Sequence, residues 1–183
     1  MMTNFSRFGL TALLFLAACQ RAEQAATTAQ SAVQAQTTPT LSTSDATFLN
    51  LAGTSGIEEV TFGQLAQTKA SRAAVRNFAA QMVADHTTAN QQLVALARSK
   101  QLTPPSSMDL MHDQLFQKLQ GLRGSAFDRA YMDSQVQDHA MVVEAFQTEA
   151  KNGTDPQVRS FAQQNLPTMQ QHLQMARSLT SQH

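Results

Sequence analysis

Apolar and small residues recur every three or four positions over most of the chain, which is the spacing of one face of an α-helix. The first such stretch runs from about Asp45 to Lys69 and predicts an amphipathic helix. Ser71 is a suitable N-cap for a second helix, which should end before Pro104 and Pro105 because proline has no backbone N–H. Apolar positions of this second helix alternate steps of four and three, as in a helix bundle, and His86 lies on that seam.

The middle of the chain predicts a short helix and then a long one. The short helix covers about Met108 to Leu119 and should end where Gly121 and Gly124 interrupt the pattern. The segment Ser125–Asp128 has the form of a capping box and should open the long helix. That helix should stop at Asn152–Gly153, and its inward seam includes His139.

The last long helix has a clear start signal, because Asp155 is a good N-cap and Pro156 fits the first helical position. His172 lies on its apolar face, and Pro167 should kink the helix nearby.

A faint internal repeat links the second and last long helices. Val75–Ala79 recurs as Val158–Ala162, and a histidine follows eleven residues after Val75 and fourteen after Val158. The difference is about one helical turn, so both side chains should point the same way. The repeat predicts two helical hairpins packed around a pseudo-two-fold axis.

Composition supports helices and excludes one class of function. Ala, Gln, Leu and Met are abundant, whereas the chain has seven Gly, one Tyr and no Trp, which favours helices over sheets. Thirteen basic residues balance thirteen acidic ones, so no net field attracts nucleic acid. We therefore predict an all-α protein, a four-helix bundle with a short extra helix between helices 2 and 3, that does not bind nucleic acid.

The N-terminal segment has the pattern of an export signal. Arg7 precedes an apolar run that is too short to cross a bilayer as a helix, since a span needs about 20 apolar residues. The run ends in Leu16–Ala18 followed by Cys19, which resembles the bacterial lipobox. Residues 1–18 are thus interpreted as a lipoprotein signal peptide and Cys19 as the lipidation site. The alternative is a conventional cleavage site with an ordinary cysteine beside it.

Residues 19–44 are predicted to be the lipidated cysteine and a disordered tether, because Ala, Gln, Thr and Ser dominate there and large apolar residues are rare. The helical domain should cover residues 45–181. The expected partner is the membrane, reached through Cys19, on the periplasmic side of the envelope. Gln20 stands where the lipobox resemblance associates an Asp with inner-membrane retention, which favours the outer membrane.

Several short motifs together resemble one known family. They are Glu59–Val60 with Leu65–Ala66, Phe78–Ala79 with Met82–Val83 and Asp85–His86, Phe127–Asp128 with Tyr131–Met132 and Asp138–His139, and Leu166–Pro167 with His172–Leu173. In this order they are similar to the domain-of-unknown-function family numbered 4142. The resemblance implies a ferritin-like four-helix bundle that is frequently exported and has no established biochemical activity.

Four polar residues, one on each long helix, form the candidate metal site. They are Glu59, His86, His139 and His172. Three imidazoles and a carboxylate suit a single Fe, Mn, Zn or Cu ion, although the Glu-x-x-His pairs of ferritin-like di-iron proteins are missing. The nearest pattern, Asp109-x-x-His112, lies on the short helix.

Three further carboxylates are secondary candidates. Glu58 is the alternate carboxylate ligand, while Asp85 and Asp138 lie about 100° round the helix from their neighbouring histidines. Both suit an outer role that orients a histidine ring, or a place against another helix or solvent.

Three readings of the polar seam stay open at this point. The residues could hydrogen-bond one another in a non-enzymatic envelope or stress-related protein that binds another protein. They could instead hold a metal or redox centre. A copper variant of the second reading uses Met82, Met169 and Met175. No hydrolase motif is recognisable in the sequence.

Overall fold

The computed structural model describes residues 41–181, and every regular element within that range is a helix. The predicted all-α bundle with an extra short helix is thus confirmed. None of the helices in the described range is both long and apolar enough to span a membrane. Cys19 and the rest of the predicted signal and tether up to residue 40 lie outside the described residues. The helices are α1 (Thr43–Lys69), α2 (Ala73–Ser99), α3 (Leu110–Gly121), α4 (Gly124–Asn152) and α5 (Pro156–Thr180).

The four long helices form two antiparallel hairpins, as the internal repeat predicts. α1 packs chiefly on α2, and α4 packs chiefly on α5. The repeated arginines have equivalent roles, since each closes the loop of its own hairpin. Arg76 donates from its guanidinium to the carbonyls of Ala70 and Ser71, and Arg159 donates to the carbonyl of Gly153. Both copies of the Val-Arg-x-Phe-Ala sequence therefore mark the same structural position.

Aspartates tie the two hairpins together, and this corrects two predicted helix starts. Ser71 is not the N-cap of α2; Arg72 holds that position without a side-chain capping bond. The capping box at Ser125–Asp128 is also wrong, since α4 already begins at Gly124. The carboxylate of Asp128 instead accepts hydrogen bonds from Ser71 N, Ser71 Oγ and Arg72 N in the other hairpin.

Asp45 makes the matching contacts at the opposite end of the bundle. It accepts hydrogen bonds from Thr154 N, Thr154 Oγ1 and Asp155 N. Each hairpin thus contributes one aspartate, near the start of its first helix, that satisfies the loop of the other hairpin. Hydrogen bonds between sequence-distant segments cannot be told from local caps by spacing alone, which explains the wrong assignment.

The remaining helix ends follow local rules. α2 ends at Ser99, before the two prolines, because Gln101 takes a left-handed conformation (φ 59°). Leu102 N then bonds to Ala97 O and Gln101 N to Arg98 O, which is the Schellman pattern. Asp155 caps α5 as predicted, accepting from Gln157 N and Val158 N. The helix runs through Pro167 to Thr180.

Two apolar clusters fill the two ends of the bundle and leave a polar layer between them. The first cluster includes Phe48, Phe146 and Phe161, and the second includes Phe62, Phe127 and Tyr131. Along each long helix, the buried polar residues of the candidate site fall between the residues of these clusters. The fold therefore holds the candidate site in the middle of the bundle, between the two apolar clusters.

Candidate metal centre

Three of the four predicted ligands converge in this middle layer. His86 on α2, His139 on α4 and His172 on α5 are all buried. Their ring centroids lie 5.6 Å apart for His86 and His139, and 5.3 Å apart for each other pair. One ligand atom from each ring lies within 4.8 Å of the others. Three helices thus place three imidazole rings close together in the core of the bundle.

The outer nitrogens of two of these rings are held by polar partners. His139 Nδ1 lies 3.0 Å from the carbonyl oxygen of Gln135, one turn earlier on α4. His172 Nε2 lies 2.9 Å from Asp85 Oδ2 on α2. Such partners fix the orientation of a ring and raise the basicity of its other nitrogen. Asp85 therefore orients a histidine on another helix, not the adjacent His86.

The inner nitrogens have no partners among the described residues. His86 Nε2, His139 Nε2 and His172 Nδ1 are buried and make no hydrogen bond. A buried polar atom left unpaired costs about 1–3 kcal/mol. The middle layer therefore contains three buried ring nitrogens that no described residue satisfies.

Glu59 on α1, the fourth predicted ligand, lies behind this group. Its Oε1 is 3.3 Å from His139 Nδ1, the ring nitrogen that also faces Gln135. It does not share the 4.8 Å cluster of the three histidines. In the structure Glu59 is thus placed to support His139 from outside, and Gln135 is an outer partner that the sequence pattern did not indicate.

Burial keeps the three histidines neutral at physiological pH. It lowers the pKa of His86 well below the usual 6.5, and the neighbouring His139 and His172 lower it further. Burial also lowers the pKa of His139 to about 4, although the bond to Gln135 acts in the opposite sense. The pKa of His172 is likewise lowered by burial, against the opposing effect of Asp85. Neutral imidazole is the form that binds metal ions.

The two adjacent glutamates have raised pKa values. Burial raises the pKa of Glu59 to about 8. Burial, followed by the negative charges of Glu59 and Asp138, raises the pKa of Glu58 to about 10. In metal-free protein both carboxyls therefore hold protons at neutral pH, and a bound cation would favour their ionised forms.

Metal-free protein should consequently lose stability as the pH rises from 6.5 to about 8. The folded state keeps protons on Glu58 and Glu59 that the unfolded chain released near pH 4.5, so each group contributes a slope of about −1.4 kcal/mol per pH unit. Below pH 6.5 the three buried histidines have the opposite effect on stability. The folded state loses stability as the pH falls, because these histidines take up protons only in the unfolded chain.

Denaturant unfolding in EDTA at several pH values would measure this slope. The double variant Glu58→Gln, Glu59→Gln carries no titrating carboxyl at these positions and should show a flatter profile. Equal slopes in the two proteins would contradict the assignment.

Glu58 and Asp138 belong to a second group, which the sequence pattern did not predict as a site. They come together with His112 of α3, with one ligand atom of each within 4.8 Å of the others. The sequence predicts Asp138 as a support for a histidine ring and Glu58 as an alternate to Glu59, whereas the structure places both beside His112. The Asp109-x-x-His112 pattern was the available signal, but helix periodicity cannot show where a short connecting helix packs.

The three methionines of the copper hypothesis belong to the apolar layers. Met82 lies in the second cluster and Met169 in the first, both almost fully buried, and Met175 packs against the second. These contacts favour packing as the role of the three thioethers.

The family comparison agrees with the resemblance drawn from the motifs. The model of the family "Domain of unknown function (DUF4142)" matches residues 22–179. No curated protein matches the sequence closely enough to count as a relative.

Solved structures with similar folds come from three bacteria. A DUF305 fragment from Deinococcus radiodurans superposes with a TM-score of 0.69 at 12% identity, covering 79% of this chain and 100% of that one. A DUF305 protein from Streptomyces coelicolor gives 0.65 at 14% identity, covering 76% and 91%. A conserved hypothetical protein from Mycobacterium tuberculosis gives 0.58 at 12% identity, covering 75% and 91%. At these identities the similarity establishes the helical fold.

Proposed function

The chain belongs to the DUF4142 family, and we propose that it is a metal-binding protein of the cell envelope whose ion is held by His86, His139 and His172. The observation that carries this proposal is the set of three unpaired, buried ring nitrogens from three helices. The proposal is limited to metal binding and includes no catalytic step.

The cost of leaving buried nitrogens unpaired favours a bound metal ion over a network of hydrogen bonds alone. In a self-satisfied network, each buried polar atom would find a partner across the core. Here the outer nitrogens of His139 and His172 do find partners, yet the inner ones do not. A metal ion would satisfy all three inner nitrogens at once, and its binding free energy would add to the stability of the fold.

The donor set indicates the class of metal. Three neutral imidazoles suit Zn²⁺ or Cu²⁺, and three protein ligands leave a fourth position open in a tetrahedral site. Zinc–nitrogen bonds of about 2.0–2.1 Å place the nitrogens of a tetrahedral site about 3.3 Å apart. One nitrogen of each ring lies within 4.8 Å of the others, so adjustments of the ring positions would bring the three ligand atoms to that spacing.

Elemental analysis of the purified protein, produced with export to the periplasm, tests the proposal. We expect about one Zn or Cu per chain, lost when His86, His139 and His172 are all replaced by Gln. Zn and Cu contents that stay at background in the unaltered protein, or that are unchanged by the triple replacement, would overturn it.

The envelope location rests on the N-terminal sequence, with Cys19 as the lipid-bearing residue. Replacing Cys19 by Ala should move the protein from the membrane fraction to the periplasmic fraction, with unchanged helical circular dichroism. A Cys19→Ala protein that stays in the membrane fraction would refute the lipid anchor.

A further inference from the structure

We propose a second cation site, separate from the three-histidine group, in which Glu58, His112 and Asp138 bind a harder divalent metal ion such as Mn²⁺ or Fe²⁺. These residues come from α1, α3 and α4, so the short helix is part of the site. The proposal uses none of the three histidines of the first site and stands independently of it.

The three side chains converge closely. His112 Nε2 lies 3.2 Å from Glu58 Oε2 and 3.7 Å from Asp138 Oδ1. The residues are only 1%, 9% and 7% exposed for Glu58, His112 and Asp138. The single imidazole therefore faces two carboxylates that are largely removed from water.

The carboxylates have spare acceptor capacity. Apart from a hydrogen bond between the carboxyl groups of Glu58 and Asp138 themselves, no partner of good geometry satisfies the two oxygens of Glu58 or Oδ2 of Asp138 among the described residues. A buried carboxyl group, neutral or ionised, normally has its oxygens satisfied by hydrogen-bond partners, because leaving one bare is costly. A cation bound between these carboxyl groups and His112 would provide the missing partners and would displace the proton of Glu58.

Asp109 is placed to position His112 for this role. Its Oδ1 accepts the His112 backbone N–H and caps α3, while its Oδ2 lies 2.9 Å from His112 Nδ1. One aspartate thus caps the helix and lies against the Nδ1 side of the ring, although this contact lacks hydrogen-bond geometry, and Nε2 lies towards Glu58 and Asp138. A carboxylate behind a histidine is the usual outer partner of a histidine ligand to a metal.

A cleft gives this group access from solvent. Glu58, Asp109, His112 and Asp138 line a cavity of about 520 Å³. Met111 and Met141 also line it, and their side chains are 61% and 53% exposed. The second group is therefore reachable by an ion from outside, as a metal site requires.

The donor atoms of this group indicate which class of ion it would bind. Two carboxylates and one imidazole form a harder donor set than three imidazoles, which favours oxygen-preferring ions such as Mn²⁺ and Fe²⁺. The two groups are adjacent in sequence, since Glu58 and Asp138 directly precede Glu59 and His139. Two neighbouring sites of different hardness would allow the protein to hold two different metals.

Electron paramagnetic resonance with Mn²⁺ tests the second site. Free Mn²⁺ gives a signal that is lost on binding, so titrating the EDTA-treated, desalted protein counts the bound ions. We expect one Mn²⁺ per chain, with affinity at least about tenfold lower in Glu58→Gln and in His112→Gln. His86→Leu, which alters only the three-histidine group, should bind Mn²⁺ as the unaltered protein does.

The outcomes separate the two proposals. A Mn²⁺ signal that never decreases, or binding that is equal in Glu58→Gln and His112→Gln, overturns the second site and leaves the first untouched. Loss of Mn²⁺ in His86→Leu alone would place the ion at the first site and also overturn the proposal. Glu58→Gln should fold normally, since burial already keeps the Glu58 carboxyl neutral without metal. Circular dichroism checks that the variant folds. His112→Gln is a second, independent variant of the same site.

Discussion

Replacing His86 by Leu should abolish tight Zn²⁺ binding and, at the same time, stabilise the metal-free protein. The His86 ring gives the three-histidine group one of its inner nitrogens, and Nε2 has no hydrogen-bond partner among the described residues. Removing a metal ligand should weaken binding at least about 100-fold, since even outer partners of ligands are worth about 10–100-fold. Leu also removes a buried unpaired atom, so we expect a gain of about 1 kcal/mol without metal.

Isothermal titration with Zn²⁺ and denaturant unfolding in EDTA measure the two effects. Met82→Leu is the matched control, because Met82 lies one turn earlier on α2 and is fully buried in the apolar layer. It should leave Zn²⁺ affinity unchanged and cost less than about 1.5 kcal/mol. A structural histidine would behave in the opposite way, so a large loss of stability in His86→Leu with unchanged Zn²⁺ binding would refute the metal assignment.

Replacing Asp128 by Ala should lower the free energy of unfolding by about 3–4 kcal/mol. Its buried carboxylate accepts three hydrogen bonds, at 2.8 Å from Ser71 N, 2.6 Å from Ser71 Oγ and 2.9 Å from Arg72 N. Hydrogen bonds to a charged group contribute about 1.5–3 kcal/mol each, and the truncation removes the carboxylate that accepts from the backbone N–H groups of Ser71 and Arg72. This is a large part of the stability of a typical domain, about 5–15 kcal/mol.

Asp45→Ala should have a similar effect at the other end of the bundle, where the same contacts reach the α4–α5 loop. Burial alone would raise the pKa of Asp45, but bonds from Thr154, Ser42 and Asp155 lower it to about 2. The contribution of Asp45 is therefore complete above pH 3.8 and is lost as the pH falls towards 2.

The control for both variants is Asp133→Ala, an exposed position on α4 that should change stability by less than about 0.5 kcal/mol. If Asp45→Ala or Asp128→Ala unfolds at the same denaturant concentration as Asp133→Ala, these aspartates do not tie the hairpins together.

The fold was predictable because local signals dominate it. Apolar periodicity placed the four long helices and the seam histidines, and the Asp155–Pro156 start of α5 is confirmed. The repeat around Val75 and Val158 predicted the two hairpins. The errors came where a side chain satisfies a distant segment, as Asp128 does for the α1–α2 loop, because sequence spacing carries no information on such contacts.

The sequence predicted which polar residues face the interior of the bundle, but it did not predict that they form two separate groups. Seam positions indicated that Glu59, His86, His139 and His172 point inward, but a helix wheel cannot resolve which side of a ring a carboxylate approaches. In the structure Glu59 stands behind His139, and the neighbouring Glu58 joins His112 and Asp138. The position of α3 against α1 and α4 determines this second group, and it depends on the tertiary packing of a short helix.

The most direct test of the central claim is anomalous diffraction at the zinc edge from crystals of the Zn²⁺-loaded protein. We expect a peak about 2.0–2.1 Å from one ring nitrogen of each of His86, His139 and His172. Zinc found only on surface residues, with the three inner ring nitrogens still unliganded, would contradict it.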